Sequence, residues 1–223
     1  MLDLKAMREE RKWELIEEKK EQQKHKERVL NEEDTLVKKI QAAIEAVREA
    51  ESRGDAPAPF TSVANKTFKL YCVDHVEYCF YENYSSKHVS FHYHVPDKGY
   101  GRIAKEPPNS DTKIYGQIDL TSPACASFEE WLPPKEAGPK IYSIKDRKGK
   151  FEFTFQFISN GYLIATVPRE FVFLDAAVDP LAPETFTMYG ASSDIARKWD
   201  EEKRSMAGGC RVYNSSESST ADG

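Results

Sequence analysis

A chain of 223 residues with 39% hydrophobic and 12% aromatic content holds enough material for one ordinary domain with a real core, plus appendages. Its apolar runs fall far short of the ~20 residues a membrane-crossing helix needs, and its N-terminus is charged where a secretory leader is apolar; this predicts an intracellular protein, cytoplasmic or nuclear. The formal net charge of −5 offers no overall attraction for phosphate backbones, so neither nucleic acid nor membrane is expected as a partner.

Residues 1–53 contain no proline or glycine and interleave basic with acidic side chains at spacings of three and four, which predicts a solvated helix. In its second half Leu30, Val37, Ile40, Ile44 and Val47 recur at steps of seven, three, four and three, the a/d seam of a partial coiled coil. Traced backwards, the seam meets Lys26, Gln23 and Lys19 before Ile16, so it does not span the whole segment. Asn31 ahead of Glu32, Glu33 and Asp34 reads as an N-cap and allows a helix pair in place of one helix. The apolar stripe then serves either another protein chain, through residues 30–51, or the protein's own β-domain.

Gly54 to Pro59 forms a stiff linker, beyond which the apolar periodicity changes to two. Strands are expected at 67–73, 75–82, 87–95, 113–120, 141–144, 150–158, 162–167 and 170–174. The segment Phe151–Phe157 alternates phenylalanines with polar residues, and Asn160-Gly161 predicts a two-residue turn that sets Phe157 opposite Ile164 and Phe155 opposite Thr166. Ser127-Phe128-Glu129-Glu130 has the form of a capping box for one helical turn, with Trp131 plugging the core. From Ser192 the chain is polar and is expected to be a disordered tail. The fold class is α+β: a mainly antiparallel β sandwich or barrel-like domain over 60–191 behind a long charged N-terminal helix or helix pair.

The stretch Lys87–Val95 places His88, Ser90, His92 and His94 on one strand face and Val89, Phe91, Tyr93 and Val95 on the other. Were Asn83–Ser86 a hairpin loop, His75 would meet His94 and Glu77 would meet His92. His75, Glu77, His92 and His94 are thus candidate ligands for Zn²⁺ or Fe²⁺, which accept imidazole nitrogen together with carboxylate oxygen. The plain alternative is a polar outward face that binds no cofactor. Cys72, His75 and Cys79 lack a second ligand pair at finger spacing, and Cys79 beside His88 or His92 lacks a group to orient the base. The four cysteines, Cys72, Cys79, Cys125 and Cys210, read as free thiols. With no phosphate-binding loop, nucleophile elbow or metalloprotease motif in the sequence, the expected function is a non-catalytic protein-interaction or scaffolding module. A metal-binding domain or metal-dependent enzyme using the histidine face is the alternative.

Overall fold

A computed structural model of the protein describes residues 4–55, 59–80, 86–93, 112–174 and 176–208. It opens on a single helix, α1 (Leu4–Ser52). The helix runs through Asn31, whose carbonyl accepts from the Thr35 hydroxyl at 2.8 Å, so Asn31 caps nothing and no helix pair forms. Gly54 ends it with φ +80, the left-handed conformation that closes helices, while Gly54 N–H donates to the Glu51 carbonyl at 3.0 Å.

Next come β1 (Lys66–Tyr71), α2 (Val73–Tyr78), β2 (His88–Tyr93), β3 (Ile114–Asp119), β4 (Cys125–Ser127), β5 (Ile141–Lys145), β6 (Glu152–Phe157), β7 (Tyr162–Pro168), α3 (Arg169–Val172), β8 (Thr185–Ser192) and α4 (Ser193–Gly208). The strands form one eight-stranded antiparallel sheet in the order β4-β3-β2-β1-β8-β7-β6-β5, two meanders joined through β1 and β8. The sheet curls until its ends touch. Glu129 N–H donates to the Lys145 carbonyl at 3.0 Å and Arg147 N–H to the Ser127 carbonyl at 2.9 Å. The inner face is filled by Phe68, Phe91, Phe128, Phe153, Phe155, Phe157, Phe171 and Phe186, all fully buried. Gly116 makes this packing possible, because a Cβ there would lie 2.6 Å from the Ser90 carbonyl and 2.8 Å from the Phe128 ring.

Several sequence expectations are corrected here. Residues 73–78 are helical and not part of a strand: the Cys72 thiol accepts from His75 N–H at 3.4 Å as an N-cap, and Asp74 sits in the first turn. The edge of β2 is therefore taken by β1, with Lys66 opposite Phe91 and Phe68 opposite Val89. Residues 169–172 are helical because Pro168 presets the entry, with φ −70, and Glu170 lies in the first turn. In place of a helical turn at 127–131, Phe128 bridges to Asp146 and Trp131 to Ile114. The β6–β7 turn is one residue longer than expected, setting Phe157 opposite Leu163 and Phe155 opposite Ala165. The Asn160 amide is used elsewhere, accepting from Thr61 N–H at 2.8 Å and donating to the Pro59 carbonyl at 2.7 Å. The expected tail from Ser192 begins instead with α4, whose Ala196 is buried and whose Ile195 and Trp199 pack on the outside of the sheet beside Ile40 and Ile44.

Candidate interaction surface

Three of the four expected metal ligands lie among the described residues. His75 lies on α2, fully buried, with its ring edge-on to Phe186 at 6.2 Å. Burial, and then the nearby Lys87 ammonium, push its pKa down to about 3, so it is a neutral core residue. Glu77 is on the same short helix, where its carbonyl and carboxylate meet Lys26. His92 is on β2, its ring 5.6 Å from Tyr115 and its pKa lowered by burial. His94 lies outside the described residues. The opposition of His75 and Glu77 to a second strand fails because α2 is a helix, and among the described residues no three His, Cys, Asp or Glu side chains form a metal-ligating group.

The outward face of β2–β4 instead carries a row across the sheet: His88 opposite Asp119, and Asp119 opposite Cys125. His88 Nε2 stands 3.2 Å from Asp119 Oδ2, and Gln117 Nε2 donates to Asp119 Oδ1 at 3.0 Å. A cysteine near an imidazole invites a nucleophilic reading, yet here the carboxylate lies between them. Burial, followed by the hydrogen bond to Asp119 and its charge, raises the Cys125 thiol to about 11, which keeps it protonated at neutral pH. The row is polar sheet surface without an activated nucleophile.

The stripe on α1 faces inward over part of its length. Ile40 and Ile44 are buried against Tyr71, Tyr162, Ile164, Tyr189 and Ala191 on the outside of the sheet with half-buried Val47 beside them, while Val37 is buried and Leu30 half-buried nearer the N-terminus. Ile40, Ile44 and Val47 thus pack on the protein's own domain, where Tyr71 of β1, Tyr162 and Ile164 of β7 and Tyr189 and Ala191 of β8 supply an apolar patch on the outer face. Two contacts fasten the helix on the same side. Glu33 Oε1 accepts from Lys87 Nζ and from Cys72 N–H, both at 2.6 Å, in a site that leaves the two charged side chains 9% and 2% exposed. Farther along, Lys26 Nζ donates to the Glu77 carbonyl at 2.7 Å, and the His25 ring meets Phe80 edge-on at 5.4 Å. On its other flank α4 holds α1 through Lys39 over the Trp199 ring and Lys203 with Glu32.

Ahead of His25 burial stops. Residues 7–24 are exposed on every side, which at 1.5 Å per residue is an arm of about 27 Å. It needs no nucleation of its own, since it prolongs a packed helix, and Arg11–Glu14 at 2.9 Å, Lys24–Glu21 at 2.7 Å and Gln23–Glu27 at 3.0 Å support it along its length. Trp13 is 63% exposed, and Met7, Leu15 and Ile16 are exposed as well. The sequence pattern marks residues 1–53 as a charged, solvated helix and points to residues 30–51 for a partner; the signal for where the helix becomes exposed is the point where the seam gives way to Lys26 and Lys19. No helix among the described residues is long and apolar enough to cross a membrane. Comparison with protein-family models, with curated proteins and with solved structures found no match to this chain.

Proposed function

We propose that the protein is a non-catalytic interaction module in which the β-domain is a rigid mount and the projecting half of α1 engages a protein partner. The observation that carries this reading is the change along one continuous helix from full burial at Ile40 to exposure on all sides at residues 7–24. An arm that made no contacts would have little reason to keep Trp13 in water, where a large aromatic side chain is an anchor awaiting a surface. The aromatic filling of the curled sheet supports the same reading, because a packed interior serves rigidity better than it serves a ligand.

The test is photo-crosslinking in cells of the source organism, with benzoylphenylalanine at position 13 or 15 of the full chain and, as control, at Thr187, an exposed site on β8. The expected result is a discrete adduct from the arm positions, absent from Thr187, whose partner rebinds in purified form. Equal adduct patterns from arm and sheet would defeat the proposal.

A further inference from the structure

We infer that the arm receives an acidic α-helix of another protein, laid along a stripe formed by Arg8, Lys12, Leu15, Lys19, Gln22 and Lys26. This rests on the reading of the arm as a binding element and adds the chemistry of its partner. At about 100° per residue, steps of four and three keep these positions on one side of the helix. The same steps continue through Leu30, Glu33, Val37, Ile40 and Ile44, so the stripe prolongs the side that packs on the sheet.

Charge is segregated around the arm. The side centred on this stripe holds Arg8, Arg11, Lys12, Lys19 and Lys26 and no carboxylate, while Glu9, Glu10, Glu14, Glu17, Glu18 and Glu21 lie on the remaining circumference. The cations on the carboxylate-bearing side are engaged within the helix, Lys20 with Glu17 and Lys24 with Glu21. Among the described residues, Arg8, Lys12 and Lys19 have no acidic neighbour within 4 Å, the limit that defines the ion pairs seen elsewhere on α1.

What the stripe accepts is visible at its inner end. Lys26, its last cation, binds the final turn of α2 through the Glu77 carbonyl at 2.7 Å, with the Glu77 carboxylate at 3.7 Å. The pairings Glu33 with Cys72 and Lys26 with Glu77 show that α2 runs antiparallel to α1 along this side. A helix docked on residues 8–19 extends the row that α2 begins, repeating the contact of Lys26 with carboxylates and covering Leu15. Self-pairing of two arms through this side is disfavoured, since a twofold contact sets cation against cation. A broad polyanion such as duplex DNA or an anionic bilayer reaches around the arm to its six carboxylates, whereas a helix of ordinary diameter touches the stripe alone.

The experiment uses the full chain and a blocked, fluorescein-labelled peptide built from three copies of Glu-Leu-Ala-Ala-Leu-Glu-Glu, read by anisotropy. The expected result is saturable binding that weakens about tenfold in Arg8→Glu/Lys12→Glu/Lys19→Glu and is nearly unchanged in Lys20→Glu/Lys24→Glu/Arg28→Glu, an equal change of net charge on the other side. Raising salt from about 0.05 to about 0.5 M weakens it further. Equal loss in both variants marks general charge attraction and overturns the inference. So does tighter binding of duplex DNA or phosphatidylserine vesicles than of the peptide, lost with the same three cations. Failure of the peptide to bind, together with a partner adduct at position 13 or 15, overturns the stripe and leaves the arm standing; absence of both removes the two readings together.

Discussion

Replacing Glu33 with Gln is the most informative single change in the domain. The carboxylate stands against Lys87 Nζ and Cys72 N–H at 2.6 Å each, in a site that leaves the Lys87 side chain 2% exposed. Burial pushes the Lys87 pKa down, and the charge of Glu33 is the main influence opposing that push. The amide side chain would keep the shape and remove the counter-charge, so the ammonium must either stay charged in a dry site or give up its proton. Breaking a buried ion pair from one side costs about 3–5 kcal/mol, a large share of the roughly 5–15 kcal/mol that holds a domain folded. The midpoint of thermal unfolding should then drop by about 6–20 °C for a chain of this size. Urea unfolding followed by circular dichroism measures the loss directly. The double change Glu33→Leu with Lys87→Met supplies the complementary measurement, because replacing both charges with apolar groups of similar volume is near neutral or stabilising. Should Glu33→Gln cost under about 1 kcal/mol, or the double variant lose as much as both single changes combined, the pair is not a desolvated, mutually dependent one and this reasoning fails.

Four further outcomes are expected. His75 is neutral in the folded protein, with a pKa of about 3 against an ordinary 6.5, so the stability it contributes is fully present above pH 6.5 and is lost as pH falls toward 3. By about pH 4.5 the loss is about 2–3 kcal/mol, and His75→Gln should flatten that slope in pH-dependent urea melts; identical slopes would refute it. Phe91→Ala should cost about 3–5 kcal/mol by denaturant unfolding, since it empties the centre of five rings. Ile40→Asp with Ile44→Asp should abolish or sharply lower the thermal transition, and a lowered mass in solution with an unchanged transition would show that the stripe serves a second chain. Cys125 should react slowly with iodoacetamide at pH 7 and faster in Asp119→Asn, measured by mass spectrometry, because the carboxylate that favours the protonated thiol is gone.

The sequence carried the inside–outside pattern of the β-domain well and its pairing poorly. Val89, Phe91 and Tyr93 are buried as expected, because burial parity is local and two residues apart always share a face. The partner strand of β2 is not legible because Val76, Tyr78 and Phe80 alternate like a strand, while the Cys72 cap and the buried Glu33 that favour a helix there depend on the folded structure. β8 is not legible in the sequence although Phe186 and Met188 alternate, since Gly190 interrupts the pattern. That glycine is required where Leu163 comes within 2.7 Å of any added Cβ. The candidate metal site inherited the false pairing. The charged helix at 1–53 is legible in the sequence, but the extent of its exposed part is not, because a charged helix reads the same whether it packs on the domain along one side or projects from it.

The buried pair also bears on how the arm is aimed. An apolar stripe alone fixes a helix loosely along its axis, because a shift of three or four residues moves Val37 toward the place of Ile40, and Ile40 toward that of Ile44, with similar side chains offered to the same tyrosines. Such a shift is not tolerated by Glu33. Moving it by one turn offers Val29 or Leu30 in one direction, and Leu36 or Val37 in the other, to the Lys87 ammonium, leaving a charge against an aliphatic side chain in a dry site. A rotation by one residue brings Glu32 or Asp34 close, yet turns Ile40 and Ile44 off the sheet. Only the observed register satisfies both the stripe and the ion pair. The same register sets Lys26 beside the last turn of α2 and points Arg8, Lys12 and Lys19 along that line. A contact that contributes modest net stability thereby determines which side of the projecting helix continues the packed stripe.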